Sequence, residues 1–275
     1  MTLLILVPLA LALWISLLDL DQYTIRQWLQ APFVGLGNFF EVVFDASLFH
    51  SIWLSFSFAL IVSVAAIPVG AAGALATQNA FRGRGLIRSV YLIPYILPAF
   101  VVATVFRAAL QPDGVVDQSF GVFGIDPGLW LNGPQSYWTL VAAQLWVSWP
   151  FAYLLTLAGL QSVDPEVHEA AALDGARWWT KLHKVVLPYL RGSILLAFIL
   201  TFLHNFNAFT MPFVLFGIPA PTDVDVLPVL TYVTAFQSFR FGLSASMAVA
   251  SLAIIAVPLF VYIRAMRLDT GVDDH

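Results

Sequence analysis

Polar side chains that could bind a ligand lie in an otherwise apolar stretch near residue 200. Thr201, His204 and Asn205 are spaced i, i+3 and i+4, and Ala208 extends the same helical face at i+7. Polar groups inside an apolar span are costly and often functional. These hydroxyl, imidazole and amide groups can form hydrogen bonds with a polar ligand. The alternative interpretation is packing between helices, with hydrogen bonds across the contact.

A second polar and aromatic group surrounds Pro150. Ser148, Trp149, Phe151 and Tyr153 combine a hydroxyl group with aromatic rings in another apolar stretch. This combination is typical either of a ligand-binding wall or of tight helix packing. The two groups together predict a binding site that lies between two helices.

Catalytic chemistry is not indicated. The sequence contains no cysteine, and its histidines form no His-Glu-x-x-His pair. His204 has no second acid–base group near it inside an apolar stretch, and no serine has partners at a recognisable triad spacing. An intramembrane enzyme is therefore disfavoured, and no metal site is predicted.

The composition predicts a membrane protein. Of the 275 residues, 60% are hydrophobic and 10% are charged, whereas soluble domains carry about 25% charged residues. We predict an all-α polytopic membrane protein that forms a single domain over residues 1–275. Six apolar segments are predicted to span the bilayer, namely 2–18, 51–77, 89–106, 137–161, 193–216 and 241–263.

The basic residues predict the orientation of the chain. Six spans place nine of the twelve basic residues on one side of the membrane, and basic loops favour the cytoplasm. Both termini are then cytoplasmic, as is the polar segment between spans four and five. Basic residues are scattered rather than clustered, so no nucleic-acid partner is predicted. The nine residues are Arg82, Arg84, Arg88, Arg177, Lys181, Lys184, Arg191, Arg264 and Arg267.

The polar segment 164–188 carries its own helix signals. Asp164 is a favourable N-cap, Pro165 suits the first helical position, and Gly175 offers the left-handed conformation that ends a helix. A helix this short is not stable alone in water, so it needs a partner surface. The following stretch from Trp178 could instead lie on lipid headgroups.

The same segment carries a known motif. Glu169-Ala170-Ala171, Asp174-Gly175 and, twelve residues after the glycine, Leu187-Pro188 resemble the EAA motif in membrane subunits of binding-protein-dependent ABC importers. The stretches 33–39, 82–88, 92–98 and 158–162 resemble the carbohydrate branch of that family, which is maltose-F-like and glycerol-phosphate-A-like.

This resemblance implies the fold of a type I ABC importer transmembrane domain, with a short cytoplasmic coupling helix pair between spans four and five. It implies a bacterial inner-membrane location, a second, maltose-G-like permease subunit, two copies of a cytoplasmic ATPase and an extracytoplasmic solute-binding protein. ATP and Mg²⁺ would be bound by the ATPases, so no cofactor is expected in this chain. Seven residues would couple to the ATPase: Glu169, Ala170, Ala171, Asp174, Gly175, Leu187 and Pro188.

The resemblance also implies substrate contacts. Thr201, Asn205, Ala208, Ser148 and Phe151 match family positions that line the sugar site, although Ala208 lacks the polar side chain expected there. His204 and Trp149 are further candidates. The expected substrate is a disaccharide, an oligosaccharide or a related sugar, and glycerol 3-phosphate or another small polar solute is the alternative. A secondary transporter is disfavoured because no carboxylate or basic residue lies at mid-span for ion coupling.

The coupling role predicts the effect of two substitutions. Glu169→Lys would reverse the charge at the ATPase contact, and Gly175→Asp would disfavour the turn between the two short helices. We expect both to impair uptake and uncouple ATP hydrolysis while the protein still inserts into the membrane. Transport assays and binding-protein-stimulated ATPase assays check this, and values equal to wild type would refute the coupling role.

Overall fold

The chain folds into a bundle of helices, as its apolar segments predict. The computed structural model describes residues 2–123, 128–162, 180 and 182–269, and within these ranges it contains isolated β-bridges but no β-strand. The all-α prediction is confirmed. The helices are α1 Thr2–Ser16, α2 Gly37–Phe44, α3 Ala46–Thr77, α4 Arg84–Ile96, α5 Ala99–Leu110, α6 Val115–Gly121, α7 Gln135–Gln161, α8 Leu187–Phe206, α9 Thr210–Phe216, α10 Leu227–Phe236 and α11 Phe241–Asp269.

Five segments of the described chain are long and apolar enough to cross a membrane. They are Ala46–Thr77, Ala99–Gly121, Gln135–Gln161, Leu187–Phe206 and Phe241–Arg264. The remaining predicted span corresponds to α1, which has 15 residues. At 1.5 Å per residue this helix is about 22 Å long, shorter than a hydrocarbon core of about 30 Å.

The predicted third span, 89–106, is divided into two helices. α4 ends at Ile96 and α5 begins at Ala99, and Leu97 between them is extended, with ψ of 137°. The cause is Pro98, which has no backbone N–H and disfavours helical geometry at the residue before it. Pro68 and Pro150, in contrast, remain inside continuous helices.

The predicted fifth span, 193–216, is also interrupted. α8 ends at Phe206, where Asn207 donates its side-chain amide to the carbonyl oxygen of Leu203 at 3.0 Å. An asparagine that satisfies a terminal carbonyl favours the end of a helix. α9 then begins at Thr210, and α10 is a short helix that the sequence pattern did not predict.

Helices α3 and α7 approach each other closely at Gly70. A Cβ atom at this glycine would lie 2.5 Å from the backbone nitrogen of Tyr153 and 2.9 Å from the Cβ of Ala152. Small residues at a crossing let two helix backbones come together, and this contact drives association in lipid, where the hydrophobic effect is absent. The α3–α7 pair is the centre of the bundle.

Buried apolar residues form separate clusters at the two ends of this pair. Near the start of α3, Phe58 and Leu140 pack with Val102 of α5 and Met211 of α9. Near its end, Tyr153 and Leu157 pack with Ala74, Leu160, Val186 and Leu190. We call these regions the Asp45 end and the Thr77 end of the bundle.

Hydrogen bonds and an ion pair stabilise the Asp45 end of the bundle. Asn38 donates its amide to the carbonyl oxygens of Ser16 and Leu18, at 2.9 Å each. Arg240 forms a bidentate ion pair with Glu41 at 2.6 and 2.7 Å, and this pairing raises the pKa of Arg240. These contacts join α1, α2 and the start of α11.

The close crossing predicts a large effect of one methyl group. Gly70→Ala would force α3 and α7 apart, and overpacking of this kind costs about 1–3 kcal/mol. We expect a lower thermal midpoint for the purified protein in detergent. Gly85→Ala is the matched control, since its Cβ would meet nothing within 4 Å. Equal midpoints for the two variants would contradict the described crossing.

Candidate functional site

A cavity lies between the broken third span and the helices α7 and α8. Its volume is about 400 Å³. The interruption at Leu97 places the last turn of α4 and the first residue of α5 against it. Its lining residues are Tyr95 from α4, Leu97 between the helices, Ala99 from α5, Val147, Ser148 and Phe151 from α7, and Leu200, Thr201 and His204 from α8.

Behind the cavity wall, a buried hydrogen-bond cluster joins α7 to α8. The Oδ1 atom of Asn205 accepts hydrogen bonds from Gln144 Nε2 at 2.8 Å and from Ser148 Oγ at 3.0 Å. Asn205 is 1% exposed and Gln144 is 3% exposed. Hydrogen bonds are stronger where water is excluded, so this cluster holds the two helices in a fixed relative position.

Two polar atoms near the cavity have no hydrogen-bond partner among the described residues. They are Oγ1 of Thr201, which lines the cavity, and Nδ2 of Asn205. Buried polar atoms are normally paired. Both atoms are buried, so neither is open to the cavity in this structure.

Of the residues predicted to contact the substrate, some line the cavity and others do not. Ser148, Phe151, Thr201 and His204 line the same cavity, so the structure brings them together. Asn205 lies behind the wall, in the cluster with Gln144.

Ala208 and Trp149 lie away from the cavity. α8 ends before Ala208, which packs against the apolar cluster at the Asp45 end rather than extending the face of Thr201. The ring of Trp149 contacts Tyr91 instead, with centroids 5.2 Å apart. The predicted placement of both residues in the substrate pathway has no support from this geometry.

Sequence reasoning missed Gln144 and Tyr95. Gln144 precedes Ser148 by four residues, so helical spacing puts both on one face of α7. Tyr95 lies between Pro94 and Pro98, where two prolines four residues apart signalled an irregular backbone. The spacing of Gln144 and Ser148 and the two prolines around Tyr95 can be read from the sequence, but neither shows which other helix packs against these residues.

The wall combines hydroxyl, imidazole and aromatic groups. Among the described residues, those that line the cavity include no Asp, Glu, Lys or Arg. Such a site can bind an uncharged polar molecule through hydrogen bonds and contacts with aromatic rings.

The predicted coupling segment is only partly described. Glu169, Ala170, Ala171, Asp174 and Gly175 lie outside the described residues. Leu187 and Pro188 form the first turn of α8, where the missing N–H of proline has no effect on helix hydrogen bonding. Val186 and Leu190 on either side are buried in the Thr77-end cluster, so the end of the segment is packed into the bundle.

Membrane-crossing helices around an uncharged polar cavity are the architecture of a solute permease. Residues 66–272 match the family described as the binding-protein-dependent transport system inner membrane component. The chain therefore belongs to that family and is a membrane transport subunit rather than an enzyme. ATP hydrolysis in such systems is performed by a separate subunit.

Several relatives align over most of the chain. The trehalose/maltose transport system permease protein MalF of Thermococcus litoralis is 27% identical over 246 residues, which cover 86% of this chain and 81% of that protein. The trehalose transport system permease protein SugA of Mycobacterium tuberculosis is 28% identical, covering 94% and 81%. The sulfoquinovosyl glycerol transport system permease protein SmoG of Agrobacterium fabrum is 26% identical, covering 97% and 86%.

Solved structures share the fold. A chain of a bacterial alginate ABC transporter, in complex with an alginate pentasaccharide-bound periplasmic protein, superposes with a TM-score of 0.78. The two chains are 18% identical, and the match covers 92% of this chain and 88% of the other. The fold is that of an ABC importer transmembrane subunit.

The buried cluster predicts a stability effect that separates two asparagines. Asn205→Leu would leave the Gln144 and Ser148 donors without an acceptor, which costs about 1–3 kcal/mol. Asn207→Ala removes only an exposed hydrogen bond, and such surface changes stay within about 0.5 kcal/mol. In detergent, the midpoint of thermal unfolding should fall clearly for Asn205→Leu and stay close to wild type for Asn207→Ala. A larger fall for Asn207→Ala than for Asn205→Leu would disprove the packing role of Asn205.

Proposed function

We propose that the chain is one of two membrane subunits of an ATP-driven carbohydrate importer, and that the cavity between α4, α7 and α8 is part of the sugar passage. The observation that carries this proposal is the wall itself. It places Ser148, Thr201, His204 and Phe151 around one cavity, and the described residues that line this cavity include no charged side chain.

The chemistry of this wall suits a sugar. A sugar ring has polar edges that form hydrogen bonds and apolar faces that pack on aromatic rings. His204 offers an imidazole that can form hydrogen bonds, and Phe151 offers an aromatic surface. In this proposal Asn205 and Gln144 position Ser148 without contacting the sugar.

The names of the relatives support a carbohydrate substrate. The aligned proteins are described as permeases for trehalose and maltose, for trehalose, and for sulfoquinovosyl glycerol. Each of these solutes contains a sugar ring. We therefore propose a disaccharide or a related glycoside as the substrate of this chain.

We further propose that the Thr77 end of the bundle faces the cytoplasm, with the protein in the bacterial inner membrane and both termini inside. The segment from Glu169 to Gly175 would dock on an ATPase. A second permease subunit would complete the passage, two ATPase copies would bind ATP and Mg²⁺, and a solute-binding protein would deliver the sugar on the opposite side.

The structure supports a direct mechanical path from that segment to the cavity. α8 begins at Leu187 and continues without interruption to Thr201 and His204. Fourteen residues of helix separate Leu187 from Thr201, a distance of about 21 Å. A displacement of the coupling segment would therefore shift the α8 wall of the cavity as a rigid rod.

Transport by the assembled complex tests the function. The four membrane and ATPase subunits are reconstituted in liposomes with the binding protein and ATP, and uptake of radiolabelled trehalose, maltose and glycerol 3-phosphate is measured. We expect uptake of at least one of the sugars. Uptake of glycerol 3-phosphate without uptake of either sugar would contradict the sugar proposal and favour a permease for small polar solutes.

The role of the cavity is tested in the same assay by His204→Phe, which removes the ring nitrogens that can form hydrogen bonds and keeps an aromatic ring. Loss of one hydrogen bond to the sugar is worth about 0.5–1.5 kcal/mol, or up to about tenfold in the half-saturating sugar concentration. Thr104→Val is the control, because Thr104 is exposed and bonds only its own helix at Phe100. Equal half-saturating concentrations for the two variants would show that the sugar passes elsewhere.

A further inference from the structure

An open groove runs along the bundle between α3 and α8. Its volume is about 600 Å³, and its walls are the stretch of α3 around Pro68 and the stretch of α8 from Leu187 to Phe198. Among the described residues that line it, Arg191 alone is charged and the others are apolar. It shares none of these lining residues with the cavity beside His204. We call it the Pro68 groove.

The Pro68 groove has an aromatic end and a charged end. At the aromatic end, Phe198 stacks with Phe202 at a centroid distance of 6.3 Å, and Phe202 packs edge-on against Phe56 of α3 at 5.6 Å. Arg191 lies at the other end, about one turn after Leu187. The eleven residues of helix from Leu187 to Phe198 span about 16 Å, close to half of a hydrocarbon core of about 30 Å. The groove therefore has the length of one lipid leaflet.

The residues around the start of α8 are typical of the lipid headgroup region. Tyr189 exposes 61% of its surface, and Lys184 and Arg191 are exposed as well. Tyrosine is enriched where hydrocarbon meets water, and a long basic side chain can extend from a span to that boundary. The charged end of the Pro68 groove therefore lies near the headgroups, and its apolar part lies beside the acyl chains.

The charge distribution favours an anion at this end of the bundle. Arg82, Arg84 and Arg264 also lie toward the Thr77 end, whereas the acidic side chains that the structure describes lie toward the Asp45 end. Basic sites between membrane helices bind anionic lipid headgroups. The guanidinium group of Arg191 has five N–H donors, so it can bind two oxygens of a phosphate and still bond a protein group.

We propose that the Pro68 groove binds an anionic phospholipid, with one acyl chain along the groove and the phosphate on Arg191. A helix of another subunit fits the charged end less well, because it would enclose the charge of Arg191 unless it brought an acidic group to that position. This inference requires only that the chain spans a membrane, and it does not depend on the proposed sugar passage.

The test places the assembled transporter in phosphatidylcholine nanodiscs that contain a minor fraction of a photoactivatable lipid. This probe is either phosphatidylglycerol or phosphatidylcholine, with a diazirine midway along one acyl chain. After illumination, mass spectrometry locates the labelled peptides. We expect the phosphatidylglycerol probe to label α3 near Pro68 and α8 near Ile194. The phosphatidylcholine probe should label them about fivefold less, the factor expected for one basic residue beside an anionic headgroup.

Four variants separate the headgroup contact from the acyl-chain contact. Arg191→Gln should reduce labelling by phosphatidylglycerol to the level of phosphatidylcholine, whereas Arg191→Lys keeps the charge and should retain most of it. Arg264→Gln is the matched control, because it removes an exposed positive charge at the same end but outside the groove. Leu195→Trp fills the groove without a change of charge and should reduce labelling by both probes. It also provides a test should Arg191→Gln fail to insert.

Three outcomes would overturn the inference. Equal labelling of the wild-type groove by the two probes would show that it has no preference for an anionic lipid. Unchanged labelling by phosphatidylglycerol in Arg191→Gln would show that another group holds the phosphate. Labelling of other lipid-facing helices but not of the groove would show that another subunit covers it in the assembled transporter.

Discussion

Hydrocarbon offers no hydrogen-bond partners, and this constraint determines where the chain places each polar group. Backbone groups are paired inside helices, and some polar side chains in the spans are paired across helices or line a cavity. Asn205 shows the first solution, since its amide oxygen serves two donors from α7. His204, next to it in the chain, shows the second, because it lines the cavity.

The cavity exists because one helix stops where its neighbours continue. Pro98 ends the helical path at Leu97, whereas α7 and α8 pass this level unbroken. The opening is therefore lined by one irregular segment and two rigid helices. α8 leads directly to the end of the predicted coupling segment, which supports a transport role in which the wall moves while the chain itself performs no chemistry.

The sequence predicted the all-α fold because a helix pairs all the interior backbone groups of an uncharged segment in lipid, but the third and fifth predicted spans are each interrupted in the structure. It also predicted that Ser148, Phe151, Thr201 and His204 belong together, through helical spacing and the resemblance to importer subunits. The inward position of Asn205 was not predictable, because it depends on Gln144 from another helix. Pro94 and Pro98 indicated an irregular backbone but not a complete break of the helix, since Pro68 and Pro150 show that a proline in a span can leave the helix continuous. The roles of Glu169 and Gly175 remain predictions.

The central claim is that sugar passes through the cavity beside His204, and protection of a single cysteine tests it most directly. The sequence contains no cysteine, so His204→Cys introduces a unique thiol at the wall, and Asn79→Cys provides a control at an exposed position outside the candidate spans. The rate of labelling by a hydrophilic maleimide is measured in the assembled transporter with and without transported sugar. The account predicts that the cysteine at 204 is labelled and that sugar slows the labelling, with no such protection at 79. A cysteine at 204 that is inaccessible, or labelled at the same rate with and without sugar, would contradict the account.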